Sequence, residues 1–250
     1  MQLKVVLPTY NEAENLPRML AELLALPLPG ARLSILVVDD NSPDGTGAIA
    51  DELAAGSGGR VTVLHRKGKE GLARAYLAGI QQALDAGADL VLQMDCDFSH
   101  PPRFIPDLLA ALPEADLVVG SRYVAGGRLD PEWAWWRKLL SWFANSVYVR
   151  TILGIPVHDA TGGFRLWRRQ TLSGMDLQRR IGSTGYVFLV ELSYVAWRLG
   201  YRIREVPIEF PDRAAGDSKM NFAIQLEAAR RVFEVRRRHR GLTPQDRATS

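Results

Sequence analysis

Leu90-Val91-Leu92-Gln93-Met94-Asp95-Cys96-Asp97-Phe98-Ser99-His100-Pro101-Pro102 is the stretch on which the fold turns. Its apolar run is short, bounded by turn formers and stopped by two prolines, which predicts a buried strand over Leu90–Met94. Asp95 and Asp97 then stand where that strand leaves its sheet, the edge at which open α/β sheets hold ligands. Two carboxylates one residue apart suit a hard divalent cation. Mg²⁺ in particular binds through one or two carboxylates plus substrate phosphates. A solvated acidic turn would carry the same residues, so the neighbouring chain must decide.

Outward from this stretch, Leu3–Leu7, Leu33–Val38, Val61–Leu64 and Leu117–Val119 are further strands by their aliphatic and β-branched content. Helices are expected between them: from an N-cap at Asn11 to about Leu26, from about Thr46 to Ala55, and from Leu72 to Ala86. Strands alternating with helices predict an α/β fold with a mainly parallel, Rossmann-like sheet flanked by helices. Pro8-Thr9-Tyr10-Asn11-Glu12, Asp39-Asp40 and Asp95-x-Asp97 then converge on one sheet edge. That convergence favours a metal and nucleotide site over an acidic turn. A dinucleotide site fails, because the first strand–helix turn has no Gly-x-Gly-x-x-Gly, and a Gly-Lys-Ser/Thr phosphate loop is missing too.

The second half differs in character. Trp133 to Leu153 is apolar and aromatic with helical spacing, while Arg137, Ser141 and Asn145 recur every four residues on another face. Such a helix is either packed core or, with its Trp, Arg and Lys, an interfacial element. Asp159-Ala160-Thr161-Gly162-Gly163-Phe164-Arg165 reads as too glycine-rich and polar for a core element. A helix is expected over Gly185–Arg198, a strand over Ile203–Phe210, a charged loop over Pro211–Lys219 and a last helix over about Asn221–Arg238.

A composition of 47% hydrophobic and 24% charged residues in 250 places the chain with soluble globular proteins. One cysteine, Cys96, excludes a disulfide framework and fits a reducing compartment. The opening residues lack the order of a signal peptide, and no apolar run approaches the roughly 20 residues of a membrane span. The net charge of +3 is concentrated late, in Arg230, Arg231, Arg236, Arg237, Arg238 and Arg240, which suits anionic headgroups or a solvated face. Nucleic acid is disfavoured, because three acidic motifs on the sheet edge would repel its phosphates.

These motifs, with Val38-Asp39-Asp40-Asn41-Ser42-Pro43-Asp44-Gly45-Thr46, Arg66-Lys67-Gly68-Lys69-x-Gly71-Leu72, Gly120-Ser121-Arg122-Tyr123, Gly162-Gly163-Phe164-Arg165, Gly185-Tyr186-Val187-Phe188 and Asp212-Arg213-x-x-x-Gly216-x-Ser218-Lys219, resemble the dolichyl-phosphate (polyprenyl-phosphate) mannose synthases. Those are inverting glycosyltransferases of family 2 with a GT-A fold. The resemblance runs from Leu3 to about Asn221, and it matches the members without transmembrane helices.

It implies GDP-mannose as donor, a polyprenyl or dolichyl phosphate as acceptor, and Mg²⁺ or Mn²⁺ as cofactor. It also implies peripheral attachment to the cytoplasmic face of a membrane, alone or through a separate anchor protein. Residues 1–220 would form the catalytic domain, with a donor half of about 1–122 and an acceptor half of about 123–220, and 221–250 a basic helix and tail. Pro8, Tyr10, Glu12, Val38 and Asp40 match positions that hold the guanine nucleoside. Asp95 and Asp97 match the residues that bind the diphosphate through the metal, and Cys96 stands where alanine is usual. Ser99 stands where well-studied members carry a glutamine metal ligand; being shorter, it implies a bridging water or a different metal preference. Arg213 and Lys219 match cations of a loop that closes over the diphosphate. Arg122, Arg137 and Ser141 match the pocket for the acceptor phosphate. The resemblance thus assigns catalysis to Asp97, Arg122, Arg137, Arg213 and Lys219.

Two enzyme alternatives remain at this point. A polyprenyl-phosphate transferase using UDP-glucose or another sugar nucleotide would share fold, metal and acceptor. A sugar-nucleotide pyrophosphorylase would need a glycine-rich loop after the first strand, which Pro8 to Glu12 does not supply.

Overall fold

Alternating apolar side chains build a sheet buried on both faces. A computed structural model describes residues 1–211 and 222–248. In chain order its elements are β1 (Gln2–Thr9), α1 (Leu16–Ala25), β2 (Arg32–Asp39), α2 (Thr46–Ala55), β3 (Val61–His65), α3 (Leu72–Asp85), β4 (Leu90–Gln93), α4 (Ile105–Ala111), β5 (Leu117–Ser121), β6 (Arg128–Leu129), α5 (Trp135–Trp142), α6 (Arg150–Leu153), β7 (Arg165–Arg168), α7 (Arg169–Met175), α8 (Leu177–Arg180), α9 (Val187–Arg198), β8 (Ile203–Pro207), β9 (Glu209–Phe210) and α10 (Phe222–His239). In β1, Val5 and Leu7 pack with α1 and α4 while Val6 packs with α3. Ile35 and Val37 against Leu36 and Val38 repeat this division in β2. Period-two side chains buried on both faces are the mark of a sheet covered by helices on each side.

The main sheet has the order β3-β2-β1-β4-β7-β5-β8. Every pairing in it is parallel except those of β7, which runs antiparallel to β4 and β5. Helix α3 approaches the sheet so closely that a Cβ at Gly79 would lie 2.4 Å from Val6 Cγ1. A smaller pair, β6 with β9, lies apart from the main sheet. On α10, Val232 and Val235 are buried against Val149, Leu153, Val187 and Val190.

Four expectations change. Helix α1 begins at Leu16, with Asn15 before it. Asn11 instead adopts φ 61°, which its short polar side chain tolerates, and its amide donates to Ser42 Oγ at 3.1 Å. The segment ending in Arg165 leads into the core: Phe164, Arg165 and Trp167 are fully buried, and β7 is a central strand. The strand expected over Ile203–Phe210 divides at Ile208, leaving β8 in the main sheet and β9 with β6. The Trp133–Leu153 helix does not run as one α-helix, because a π-helical stretch, Phe143–Val149, joins α5 to α6. None of the α5 residues is buried, which excludes the packed-core alternative for that segment.

Candidate active site

The C-terminal ends of β1, β2 and β4 meet at one edge because the three strands are parallel neighbours, with Thr9 opposite Asp39 and Pro8 opposite Val38. The Asn41–Thr46 turn is fastened to the turn after β1. Asp39 accepts Thr9 Oγ1 at 3.2 Å and Ser42 Oγ at 2.6 Å. Asp44 accepts the Ala13 amide at 3.1 Å and Thr46 Oγ1 at 2.6 Å, and Thr46 Oγ1 in turn accepts the Glu12 amide at 2.9 Å. Burial alone would raise the Asp44 pKa, but the Thr46 and Ala13 donors outweigh it and hold it below the usual carboxylate range. Asp40 is buried and paired with Arg66, which also reaches Glu70 at 2.7 Å. Desolvation nevertheless keeps the Asp40 pKa raised against the pull of Arg66. Lys69 Nζ lies 3.5 Å over the Tyr10 ring.

Asp95 and Asp97 follow β4, each steered by a hydroxyl. Tyr76 on α3 donates to Asp95 Oδ1 at 2.7 Å, and burial beside Asp95 pushes the phenol pKa far up, so the proton stays on Tyr76. Ser99 Oγ donates to Asp97 Oδ1 at 2.5 Å, and the Ser99 amide to the same oxygen at 3.1 Å. Ser99 thus orients Asp97, a part the sequence did not reveal. The Asp95 amide donates to His100 Nδ1 at 2.9 Å, which leaves the ring proton on Nε2. Burial lowers the His100 pKa and favours this neutral form. Cys96 is buried, and desolvation raises its thiol pKa well above the ordinary value. Gly163 passes close by: a Cβ there would lie 3.0 Å from His100 Cε1 and 3.6 Å from Asp95 Oδ2.

His100 connects this acidic edge to a second cluster. Its ring stacks on Phe164 at 5.3 Å and meets the edge of Phe210 at 5.8 Å. Phe210 carries the Arg122 guanidinium 4.8 Å from its centroid and touches Trp133, and Arg137 lies 3.6 Å over the Trp133 ring. Arg122 is bonded to Asp159 at 2.6 and 2.7 Å and to Thr161 at 3.1 Å. Although burial disfavours its charge, Asp159 more than compensates and raises its pKa. Ser141 bonds the Tyr123 hydroxyl at 2.6 Å. The π-helical stretch turns Asn145 and Ser146 inward, where they hold the Thr161 amide at 3.0 Å and the His158 carbonyl at 3.1 Å. From the other side Glu205 accepts the His158 and Asp159 amides, both at 2.8 Å. Asp159 is therefore fixed from two directions before it meets Arg122.

Beside Arg122 opens a cavity of about 990 Å³, lined among others by Arg128, Lys138, Leu139, Trp142 and Phe210. Another, of about 340 Å³, lies at the opposite sheet edge near Gln2, Arg32 and Gly58, away from every acidic motif. The structure thus brings Pro8, Tyr10, Glu12, Val38, Asp40, Asp95, Asp97 and Ser99 to one edge, and links Arg122, Arg137 and Ser141 through Tyr123, Phe210 and Trp133. Arg213 and Lys219 lie outside the described residues. Sequence reasoning missed Tyr76, the aromatic bridge through His100 and Phe210, and the clamp on Asp159, because each joins residues distant in the chain.

The donor set suits a cation that shares its coordination with a ligand. Among the described residues no group of three or more His, Cys, Asp or Glu could hold a metal. Two carboxylates oriented by hydroxyl donors match an ion such as Mg²⁺ that takes its remaining oxygens from phosphates and water.

The chain is 46% identical over 232 residues to the polyprenol monophosphomannose synthase of Mycolicibacterium smegmatis, covering 92% of this chain and 85% of that protein. It is 47% identical over 229 residues to the undecaprenyl-phosphate mannosyltransferase of Micrococcus luteus, covering 91% of each. Its fold is similar to the crystal structure of mannosyl-3-phosphoglycerate synthase from Rubrobacter xylanophilus, with a TM-score of 0.65 at 20% identity over 96% of this chain and 75% of that one. It is also similar to glucosyl-3-phosphoglycerate synthase from Mycobacterium tuberculosis in complex with Mn²⁺ and UDP-glucose, with a TM-score of 0.60 at 20% identity over 95% and 79%. The family described as glycosyl transferase family 2 matches residues 4–174. With its strand-end carboxylates and mostly parallel GT-A sheet, the chain belongs to glycosyl transferase family 2.

Proposed function

We propose that this enzyme transfers mannose from GDP-mannose to a polyprenyl phosphate, with inversion at the anomeric centre. One observation carries the reading: His100 and Phe210 join the Asp95–Asp97 edge to an arginine-bearing cleft beside a helix of exposed apolar residues. A sugar nucleotide and a lipid phosphate need those two environments side by side. The relatives' names support the mannosyl group and the polyprenyl acceptor.

Pro8, Tyr10, Glu12, Val38 and Asp40 bind the nucleoside, and the Cys96 backbone passes between the two acids. Asp95 and Asp97 hold a divalent ion, Mg²⁺ or Mn²⁺, with Ser99 fixing Asp97. When bound, that ion supplies Lewis-acid stabilisation of the charge growing on the departing diphosphate. Arg213 and Lys219 add positive charge at the same oxygens. Arg122, Arg137 and Ser141 position the acceptor phosphate. No general base is required, since a phosphate monoester with a second pKa of about 6 is already anionic at neutral pH. The bidentate bond of Asp159 to Arg122 fits a positioning part for that carboxylate.

The lipid tail explains helix α5. Trp135 is 76% exposed and Trp136 57%, with Leu139, Leu140, Trp142 and Phe143 also outside, a surface suited to the membrane interface. Among the described residues no helix is long and apolar enough to cross a membrane. Peripheral docking on the cytoplasmic face, with or without a separate anchor protein, fits this surface, and the exposed arginines of α10 add attraction to anionic headgroups.

The test offers the protein GDP-mannose or UDP-glucose, each with a polyprenyl phosphate, with Mg²⁺, Mn²⁺ or chelator. Lipid-linked mannose formed only from GDP-mannose and only with metal is the expected result. Glucose transfer would replace the donor, and metal-independent turnover would remove the role given to Asp95 and Asp97.

A further inference from the structure

His100 ends the turn that carries Asp95 and Asp97, and it is only 2% exposed. The turn is strained. Phe98 adopts φ 63°, a left-handed conformation that a bulky side chain keeps only where its surroundings impose it. The bond that closes the turn runs across this residue, from the Asp95 amide to His100 Nδ1 at 2.9 Å. A nitrogen acceptor at position 100 thus fixes the backbone from which Asp95 and Asp97 project.

The carbon part of the same ring faces elsewhere. Phe164, in the core of the main sheet, stacks on it at 5.3 Å with the planes 12° apart. Phe210, the last residue of β9, meets it at 5.8 Å and 65°. The Phe210 ring in turn lies 4.8 Å from Arg122 Cζ and 6.2 Å from the Trp133 ring, over which Arg137 sits at 3.6 Å. The ring fits because residue 163 is glycine: a Cβ there would lie 3.0 Å from His100 Cε1. Phenylalanine at position 100 would offer the ring without the acceptor, and asparagine the acceptor without the ring. Histidine supplies both, and neither contact requires its protonation to change.

We propose that His100 is a positioning residue with two separable parts: its Nδ1 sets the Asp95–Asp97 turn for metal and diphosphate, and its ring, through Phe210, sets Arg122 for the acceptor phosphate. This rests on Asp95 and Asp97 holding the metal and on Arg122 serving the acceptor.

The experiment uses the wild type, His100→Asn, His100→Phe, Phe210→Leu and the double variant of His100→Asn with Phe210→Leu. It measures the Mn²⁺ concentration for half-maximal GDP binding, kcat/KM for polyprenyl phosphate at saturating donor and metal, and melting temperature. In His100→Asn, acceptor kcat/KM should fall roughly ten- to a hundredfold, the scale of a small misplacement of reacting groups, while Mn²⁺-dependent GDP binding stays within about twofold. His100→Phe should do the reverse, raising the Mn²⁺ requirement for GDP binding about tenfold with acceptor kcat/KM within about threefold. Phe210→Leu should resemble His100→Asn and add little to it, because both cut one path. A merely structural histidine would lower the melting temperature and move both readouts together in both variants, which would overturn the proposal. Additive losses in the double variant would overturn the part given to the ring. If neither His100 variant folds, Phe210→Leu, at a partly exposed side chain, still decides that part: unchanged acceptor kcat/KM overturns it. A wild type that binds GDP with Mn²⁺ yet makes no lipid-linked sugar overturns the functional reading itself. An active wild type matched by both His100 variants overturns only the positioning role.

Discussion

Ser99 shows how a small side chain changes an acidic motif. Its hydroxyl and amide both reach Asp97 Oδ1. Such outer contacts to a metal-binding carboxylate tune affinity without supplying a ligand. Ser99→Ala should therefore keep metal-dependent turnover while raising the Mn²⁺ concentration for half-maximal activity about tenfold. A metal titration of the variant checks this, and turnover that no Mn²⁺ concentration restores would mean that the Ser99 oxygen coordinates directly. Asp95 and Asp97 were legible in the sequence because they end an apolar run. Arg165 was not, since an arginine is normally read as surface. Here it is fully buried, donating to the carbonyls of Gly162, Leu189 and Ala160, and burial pushes its pKa down to about 10. No local pattern announces carbonyls supplied by residues up to 24 positions away.

At the scale of elements, β1, β2, β3 and α3 follow their apolar periodicity, and the sequence located each within a residue or two. Strand β7 escaped because it has four residues, an arginine at each end and a glycine pair before it. The π-helical stretch escaped because its spacing still reads as helical; its inward Asn145 and Ser146 become visible only with the loop they hold. Helix α5 carries this scale's prediction. Replacing Trp135, Trp136 and Leu139 together by serine should leave the melting temperature nearly unchanged, since exposed positions contribute little to folding. Flotation with vesicles containing anionic lipid should then recover much less protein than with the wild type. Equal recovery would remove α5 from the docking surface.

Across the whole molecule, the parallel, helix-covered sheet was legible from alternating elements, but the order of its second half was not, because β4, β7, β5 and β8 pair across long stretches of chain. The charges set a pH response that belongs to the fold as a unit. Donors around Asp44, Asp116 and Glu191 outweigh burial and depress their pKa values. A depressed carboxylate stabilises the fold above its unfolded pKa, 3.8 for Asp and 4.5 for Glu, and loses that contribution as pH falls through its lower folded value. Asp40, raised by desolvation, works in the opposite sense. Melting temperature should therefore fall steeply below about pH 4.5, with Glu191→Gln flattening part of that slope; melts between pH 7 and 3 check it. The antiparallel strand has a further consequence, for synthesis. Strands β1 to β4 can pair once Gln93 has been made, but β5 finds its two neighbours only after residues 165–168 and 203–207 have followed. A chain interrupted between Ser121 and Arg165 leaves the edges of β4 and β5 unpaired, a template for association with other chains. The β1–β4 half of the sheet is thus no free-standing module, because its open edge is closed by a strand translated about seventy residues later.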